Sequence, residues 1–474
     1  MSRAWPVAAF AGLAACGGGS GMTSSPTVAN RAPVFTSGTA VSVVENSVAA
    51  AYAASATDAD GDPLTYSLAG GADAARFSIS SSGQLSFVAS PNFDLPADAD
   101  ADNVYQVQIG ASDGKSTTTQ TVAVSVTNSK EGVAVRRIAT GFTDPVAIAP
   151  VSDTAMLVAE KAGRVFLLDP QTGARTLLIQ IADIGGVGVT ALAASPTYSA
   201  DGIFHAMYTT SYGYLVINRF KRNPAGPTVP DNSGPILGVS APNYAGGGWL
   251  GYDATGLLNA ATGDAGGSGD PEGSAQNINS RLGKLLHISA TLDPYAGASP
   301  IFWLVSTAAM GLHQPNGGSL VGGMLVIADR GQDRAEELDL VSPGFLNFGW
   351  PVKEGTSTLR GTLTADMLDP VLEYPHGGGA SAGAAIVGGA IGPTAVASLR
   401  NQYIFADRSG AIFAVSASAF RQGTTIAAAT MERRDADFAP DVGTIDHPVA
   451  ITPGPGGTLY MLDADGEIYR VEGS

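Results

Sequence analysis

The sequence predicts an all-β protein with two folded parts, a β-sandwich followed by a β-propeller. Charged residues are only 14% of the chain, while 61 glycines and many Asp, Asn and Pro residues mark frequent turns. Short apolar and β-branched segments alternate with these turns, which is typical of many short strands. Beyond residue 133 a unit of strand, tight turn and strand recurs to the end of the chain. Such recurrence indicates a propeller.

Length and charge limit the classes of partner. The chain has 474 residues, enough for more than one domain with its own core. Its formal net charge of −17 comes from 42 acidic and 25 basic residues. Nucleic acids and anionic membrane surfaces are therefore excluded as expected partners, while cations and neutral ligands such as sugars remain.

The N-terminus is expected to be a targeting segment rather than part of the fold. Arg3 precedes a short apolar stretch that cannot span a bilayer. The run LAAC resembles the bacterial lipobox, which predicts a signal peptide of residues 1–15 and a lipid on Cys16. The alternative is an ordinary secretory signal. Cys16 is the only cysteine, so no intrachain disulfide can form.

Residues 16–31 are expected to be a flexible Gly/Ser tether, GGGSGMTSS and the residues after it. Gly17 provides no inner-membrane retention signal, so the expected location is the cell envelope, as an outer-membrane lipoprotein on the periplasmic or surface face. No other stretch is apolar for long enough to cross a membrane.

Residues 32–130 predict the β-sandwich, because about seven alternating strands with turn residues between them occupy roughly a hundred residues. The unit resembles bacterial cadherin-like domains through the segments VVEN, ATDADGDPLTYSL, FSISSSGQLSF, PNFD, DADNVY and ASDG. The resemblance implies a spacer or a protein-binding module that uses calcium.

By the same resemblance, the calcium ligands of this module would be carboxylates. Clustered aspartates in turns suit Ca²⁺, which takes six to eight oxygen ligands. The alternative is that these aspartates only stabilise turns by bonding nearby backbone N–H groups. The positions implied are Glu45, Asp58, Asp60, Asp94, Asp102 and Asp113.

Residues 133–474 resemble the soluble quinoprotein glucose/sorbosone dehydrogenases. The resemblance implies a six-bladed propeller that uses pyrroloquinoline quinone (PQQ) with calcium to oxidise sugars. It rests on the order and spacing of the segments GFTDPVAIA, VAEKAGRVFLLD, SPTYSADGIFHAMYTT, AQNINSRLGKLLHI, MGLHQP, ADRGQDRAEELDLV, GFLNFGWPVKEG, DPVLEYPHGG and NQYIFADRSGAIFAV.

The stretch 243–264, NYAGGGWLGYDATGLLNAATGD, is expected to carry catalytic positions. Tyr244 stands where the family has the histidine that serves as general base, and Asp264 matches the aspartate that orients it. Tyrosine is a poor base at neutral pH because its reference pKa is about 10. For Asp264, the alternative is a turn residue at a strand end.

Two further segments complete the implied site. His313 and Gln314 replace the family's Arg-Asn pair, in which the arginine stabilises charge on the quinone; histidine cannot form the guanidinium fork. Gly331 and Gln332 match the residues whose backbone carbonyls bind calcium beside the cofactor. Arg330, beside them, is interpreted as family framework or as part of a solvated charged loop.

Two functions remain open from the sequence. The first is an envelope-anchored, PQQ-dependent sugar (aldose) dehydrogenase in which Tyr244, Asp264 and His313 surround the substrate. The alternative is a non-catalytic carbohydrate- or protein-binding adhesion lipoprotein. The intact framework motifs favour the first, and the replaced base and arginine positions favour the second.

Overall fold

The computed structural model describes residues 29–223, 229–230, 235–292 and 301–474. The predicted signal peptide, Cys16 and most of the tether lie outside the described residues. In the described part nearly every element is a strand, which confirms the all-β prediction. The helical elements are one short α-helix, Tyr198–Asp201, and 3₁₀ turns at Ala74–Arg76, Lys130–Gly132, Ala397–Leu399, Ala417–Ala419, Ala428–Thr430 and Pro455–Gly457.

The N-terminal strands form the sheets expected of a sandwich. Apolar residues alternate along the long strand that ends the module, and its inward positions Val122, Val124 and Val126 are buried. The larger sheet has the order Ala40–Val44, Thr117–Thr127, Val104–Ser112, Thr65–Gly70. The smaller sheets are Tyr52–Ala53, Gln84–Phe87, Phe77–Ile79 and the pair Val34–Phe35 with Ala56–Thr57.

Six antiparallel sheets follow, numbered here as sheets 1 to 6 and given from the inner strand outward. Sheet 1 is Pro145–Ser152, Ala155–Glu160, Arg164–Leu168, Arg175–Gln180. Sheet 2 is Ile184–Ala194, Ile203–Thr210, Tyr214–Lys221, with Val229–Pro230 and Leu237–Ser240 on its outer edge. Sheet 3 is Trp249–Tyr252, Leu258–Thr262, Lys284–Leu292, Ile301–Met310, with Leu346–Asn347 added in parallel.

Sheet 4 is Gln314–Val321, Met324–Arg330, Ala335–Val341, Leu372–Pro375. Sheet 5 is Ile386–Ile391, Gln402–Asp407, Ile412–Ser416, Glu432–Arg433. Sheet 6 is Pro448–Pro453, Leu459–Asp463, Ile468–Gly473, Val133–Ala139. A separate short hairpin joins Lys353–Glu354 to Ser357–Thr358.

The six sheets close into a ring. The inner strand of each sheet contacts the inner strand of the next, and the inner strands of sheets 6 and 1 contact each other. Sheet 6 is itself completed by the two ends of the ring, because Val135 pairs with Val471 across antiparallel strands. This arrangement confirms the propeller and is consistent with the six blades that the resemblance implies.

The core of the ring lies between successive sheets rather than at one centre. Apolar residues of neighbouring sheets form one buried cluster at each of the six junctions. Each middle strand therefore buries both faces, which explains continuous apolar runs such as MLVA and YIFA instead of strict alternation. Burial of this kind stabilises the fold by about 25 cal/mol per Å² of apolar surface.

The chain divides into two compact units. The first consists of the described residues up to Val41 together with Val48–Ala89 and Tyr105–Val124. The second consists of Ser42–Ser47, Ser90–Val104 and Ser125–Ser474. No helix among the described residues has the length and hydropathy needed to cross a bilayer.

Candidate functional site

One end of the ring carries an acid in five of the six sheets. Because inner and second strands are antiparallel, the beginning of each inner strand lies beside the end of the second strand. A buried carboxylate lies at the end of the second strand, or within two residues of it, in sheets 1, 3, 4, 5 and 6. These acids are Glu160, Asp264, Asp329, Asp407 and Asp463.

Four of these carboxylates bind the backbone that leads into the inner strand of their own sheet. Asp329, for example, accepts hydrogen bonds from the N–H groups of His313 at 2.8 Å and Gln314 at 2.7 Å. Glu160, Asp407 and Asp463 make corresponding bonds. A carboxylate at this place thus satisfies buried N–H groups where the chain passes from the outer edge to the centre.

Asp264 differs from the other four. Its carboxylate accepts hydrogen bonds from the indole Nε1 of Trp350 and from the N–H of Gly266, each at 2.8 Å. Burial raises the pKa of its carboxyl group, and nearby His313 opposes that rise. Asp264 is therefore a buried anchor for the Trp350 indole rather than a simple turn residue.

Tyr244 is buried behind the site. Its hydroxyl donates to the carbonyl of Gly247 at 3.0 Å and accepts from the N–H of Gly263 at 2.9 Å. A side chain at Gly263 would place its Cβ 2.5 Å from the carbonyl oxygen of Gly246, so glycine is required for this close approach. Burial raises the pKa of Tyr244 further above its usual value. The hydroxyl is engaged in holding two backbone segments together and is a worse base than a free tyrosine.

His313 is the histidine that faces a cavity at this end of the ring. Its Nδ1 lies 2.7 Å from the carbonyl oxygen of Arg330, so Nδ1 carries the proton that this bond requires. Its ring packs against Trp350 with 4.2 Å between centroids. Among the described residues, Nε2 has no hydrogen-bond partner and is not a buried atom. The tautomer set by Nδ1 leaves a lone pair on Nε2.

The cavity in front of His313 has a volume of about 330 Å³. This volume is at the lower end of the roughly 300–1,000 Å³ of ligand pockets. Its wall combines the residues after the second strands of sheets 3 and 4 with the start of the inner strand of sheet 4. The lining residues are Gly267, Ser268, His313, Gln314, Arg330, Gly331, Gln332 and Asp333.

Gly331 and Gln332 line this cavity. Neither of their backbone carbonyls accepts a hydrogen bond from the described part of the chain. The loop is held from behind by Glu354, whose Oε1 accepts from the N–H groups of Asp333, Arg334 and Ala335 at 3.0, 2.8 and 3.1 Å. Backbone carbonyls in a fixed loop are suitable ligands for Ca²⁺.

A group of three buried acids lies under the same loop. Asp329, Glu337 and Asp339 each place a carboxylate oxygen within 4.8 Å of the others. Burial, with repulsion from Asp339, raises the pKa of Asp329 and of Glu337 well above the usual values, and burial raises the pKa of Asp339 to about 8. With a pKa of about 8, Asp339 keeps its proton at neutral pH. Its Oδ2 has no hydrogen-bond partner among the described residues.

The loop after Asp264 is held by Lys284. Its ammonium donates to the carbonyls of Ser274, Ala275 and Leu282 at 2.7, 2.9 and 2.8 Å. Asp270 binds the same loop by accepting from the N–H groups of Ser274 and Ala275. Burial lowers the pKa of Lys284 to about 8, although its attraction to Asp270 opposes the change. These bonds fix the wall that carries Gly267 and Ser268.

A larger cavity of about 530 Å³ follows the inner strands of the ring. Among its described lining residues, Asp253 alone is charged at neutral pH, and the carboxylate of Asp253 is occupied by Thr255 and Leu257. Charge recognition and proton transfer at neutral pH both depend on groups of this kind. The smaller cavity at His313 is therefore the better candidate site.

The six positions that the cadherin-like resemblance assigns to calcium do not form one site. Asp58 Oδ1 accepts from the N–H groups of Asp60 at 2.8 Å and Asp62 at 3.3 Å, which is the turn-stabilising role. Asp60 forms an ion pair with Arg31 at 2.7 Å.

The other four positions are also separate. Asp113 binds Asn30 and Ser116, and Asp102 lies with Asp98 and Asp100. In the second unit, Glu45 and Asp94 approach Asp437, and the Arg434 guanidinium lies 3.1 Å from Asp94 and 2.6 Å from Asp437. The six positions thus lie in several groups, and calcium binding by this module stays a prediction.

Trp350 and Arg330 have contacts or positions at the site that the sequence did not predict. Trp350 links Asp264 to His313, and Arg330 presents in the cavity wall a guanidinium that has no partner in the described part of the chain. The only sequence pattern that could have identified Trp350 is the run FGWP. No pattern distinguished Arg330 from a charged residue on a solvated loop. Of the predicted site residues, the structure brings His313, Gln314, Gly331 and Gln332 to one cavity, with Asp264 behind it and Tyr244 outside it.

Comparison with known proteins identifies relatives of both parts of the chain. Residues 142–409 match the model of the family "Glucose / Sorbosone dehydrogenase", and residues 30–127 match that of a bacterial Ig domain. A curated relative, the HIPL1 protein of Arabidopsis thaliana, is 31% identical over 176 residues, which span 29% of this chain and 24% of that protein.

Solved structures share the fold of the propeller. The PQQ-bound aldose sugar dehydrogenase of Streptomyces coelicolor aligns with a TM-score of 0.55 and 21% identity, over 72% of this chain and 98% of that one. The apo-form of the soluble aldose sugar dehydrogenase of Escherichia coli aligns with a TM-score of 0.54 and 15% identity, over 72% and 100%. Identities this low support the fold alone.

Proposed function

Because the chain belongs to the Glucose / Sorbosone dehydrogenase family, we propose that it oxidises a hydroxyl of a sugar-type substrate in the cavity at His313, with PQQ as electron acceptor. The observation that carries this proposal is the imidazole of His313. Its Nδ1 is tied to the Arg330 carbonyl and its Nε2 is open toward the cavity. A neutral histidine held in one tautomer is suited to accept a proton from a hydroxyl.

The residues present fit PQQ and calcium. The carbonyls of Gly331 and Gln332 accept no hydrogen bond from the described residues and would provide two of the oxygens of a Ca²⁺ site. The amide N–H groups of Gln314 would bind a carboxylate or carbonyl oxygen of the cofactor from the cavity wall. PQQ, when bound, supplies a two-electron acceptor for the hydride that leaves the substrate carbon.

The protein's own residues perform the proton transfer and the positioning. His313 Nε2 takes the hydroxyl proton as the C–H bond gives up its electron pair, so an alcohol or hemiacetal becomes a carbonyl. Trp350 packs on the imidazole, and Asp264 fixes the indole through Nε1. Tyr244 contributes by holding the Gly247 and Gly263 backbones and transfers no proton.

The second candidate function is carbohydrate or protein binding without turnover, from a lipoprotein whose N-terminal module acts as a spacer or adhesin. The buried Tyr244 hydroxyl favours it, since the position that provides the family's base is occupied by a structural tyrosine. Binding of a sugar with no PQQ-dependent oxidation would support this function.

We propose further that Cys16 carries a lipid that anchors the protein in the cell envelope. The position of the only cysteine after the apolar segment supports this. Mass spectrometry of the membrane fraction should detect a lipidated Cys16 and a loss of anchoring in Cys16→Ser. A soluble wild type with an unmodified cysteine would contradict the anchor.

The test of the dehydrogenase combines cofactor binding with turnover. Purified protein is titrated with PQQ and Ca²⁺ by calorimetry and then assayed for dye reduction across a panel of aldoses and sugar acids. His313→Ala should lower kcat by roughly 10²–10⁴-fold, the range for loss of a general base, with PQQ affinity retained. Tyr244→Phe is the control and should reduce kcat little. No PQQ binding and no dye reduction in wild type would exclude the proposal.

A further inference from the structure

We propose that Arg330 makes the cavity at His313 a carboxylate-binding site, so that the ligand recognised there is an anion rather than a neutral sugar. The inference concerns recognition and rests on the proposed function only in taking this cavity as the ligand site. The chemistry that Arg330 would bind is the carboxylate of a sugar acid, such as a uronate.

The Arg330 guanidinium is unpaired within the described part of the chain. It lines the cavity and forms neither a hydrogen bond nor an ion pair with any described residue, whereas its backbone carbonyl accepts from His313. The two acids nearest to it in sequence are engaged elsewhere. Asp329 accepts from the N–H groups of His313 and Gln314, and Asp333 accepts from the Gln332 amide at 2.6 Å. The cation therefore remains free for a ligand.

The position of this guanidinium distinguishes it from arginines that the fold uses. Arg434 contacts four carboxylates and Arg137 pairs with Glu467. Arg330 instead lies in a concave wall beside His313 and Gln314, so its guanidinium retains its capacity for an external anion.

The neighbouring groups match a sugar acid. The guanidinium offers two parallel N–H donors to a planar carboxylate. The side-chain amide of Gln314 also lines the cavity and has no partner among the described residues, which leaves it for hydroxyl groups. His313 Nε2 stands in the same wall as the acceptor for a hydroxyl proton. A hydroxylated carboxylate would satisfy all three groups together.

The test measures binding with and without the carboxylate. Calorimetry compares D-galacturonate with D-galactose, which differ by that group, and measures PQQ binding in a separate titration. The proteins are wild type, Arg330→Gln, Arg330→Lys and the matched control Arg334→Gln. Arg334 is in the same loop but does not line this cavity. Circular dichroism and thermal unfolding verify that each variant is folded.

We expect Arg330→Gln to weaken binding of the anion by roughly 10–100-fold, the scale of a charge-assisted bond, with Arg330→Lys intermediate. A loss confined to galacturonate identifies a sugar acid as the ligand, whereas a loss confined to PQQ assigns Arg330 to the cofactor and overturns the proposal. Equal affinities in wild type and Arg330→Gln for both ligands overturn the proposal, as does the same loss in Arg334→Gln. PQQ-dependent dye reduction by the wild type with neutral aldoses, but without measurable binding of galacturonate, would uphold the dehydrogenase function while this inference fails.

Discussion

The carboxylates at the end of the second strands of sheets 5 and 3 occupy matching places but do different things. Asp407 accepts from the N–H groups of Ala384, Ala385 and Ser409 and from the hydroxyl of Tyr374. Asp264 accepts from one N–H group and from the indole of Trp350. The strand-end carboxylate of sheet 5 thus accepts hydrogen bonds mainly from backbone N–H groups. The one in sheet 3 positions the Trp350 side chain, which packs on His313.

The difference between the two sheets shows how one part of a repeated fold can keep polar atoms available for a ligand. In sheet 5 the oxygens of the strand-end acid are used by its own backbone and by Tyr374. At the junction of sheets 3 and 4, His313 Nε2, the Arg330 guanidinium and two carbonyls remain without partners among the described residues. Free polar atoms on a rigid frame are what a binding site requires.

Replacement of Asp407 should have the largest effect on stability. In Asp407→Asn the amide group would face four donors, so at least some buried N–H groups lose their acceptor. We expect the free energy of unfolding to fall by about 3–5 kcal/mol, because buried polar groups are left without their charged partner. Urea denaturation measures it, and a change below the Asp264→Asn value would contradict the comparison.

The matching substitution in sheet 3, Asp264→Asn, should lower the free energy of unfolding less than Asp407→Asn does, but it should lower kcat more. Asp264→Asn affects two donors, so the expected loss is about 1–3 kcal/mol. Loosening of Trp350 against His313 should lower kcat by roughly 10–100-fold, as is typical for an orienting partner. Tryptophan fluorescence of the folded variant reports the looser indole. Unchanged kcat with unchanged fluorescence would remove Asp264 from the site.

The buried acid cluster under the cavity predicts a pH dependence. The pKa of Asp339 is raised to about 8 in the folded protein, from 3.8, because of burial. Its contribution to stability is therefore fully present below pH 4 and is lost as pH rises through 8. Asp339→Asn should remove this loss. The free energy of unfolding of the variant, relative to that of the wild type, should therefore be higher at pH 8.5 than at pH 5, by on the order of 1–3 kcal/mol. Parallel pH–stability curves for variant and wild type would refute the assignment.

The smallest expected effect is at Tyr244. Tyr244→Phe leaves the Gly263 N–H without its acceptor and should reduce the free energy of unfolding by about 1 kcal/mol. Turnover should change less than in Asp264→Asn, because the hydroxyl does not reach the cavity. A loss of turnover equal to that of His313→Ala would show that the tyrosine takes part in proton transfer.

Much of the frame could be predicted from residue patterns. The runs VAE, TGD, IAD, FAD and MLD each end an apolar strand with an acid, and the structure uses each acid at the same end of the ring. Apolar strands with tight turns predicted the propeller, because local hydrophobic patterning and turn chemistry depend on neighbours in sequence. The described strands agree with that prediction.

The sequence by itself determined the all-β class and the two folded parts, since these follow from short-range patterns. Only the tertiary structure decided which polar atoms stay free. Val135 pairs with Val471, Asp264 meets Trp350, and the six predicted calcium carboxylates separate into groups. These outcomes depend on contacts between segments far apart in the chain, and no local pattern specifies which donor reaches which acceptor.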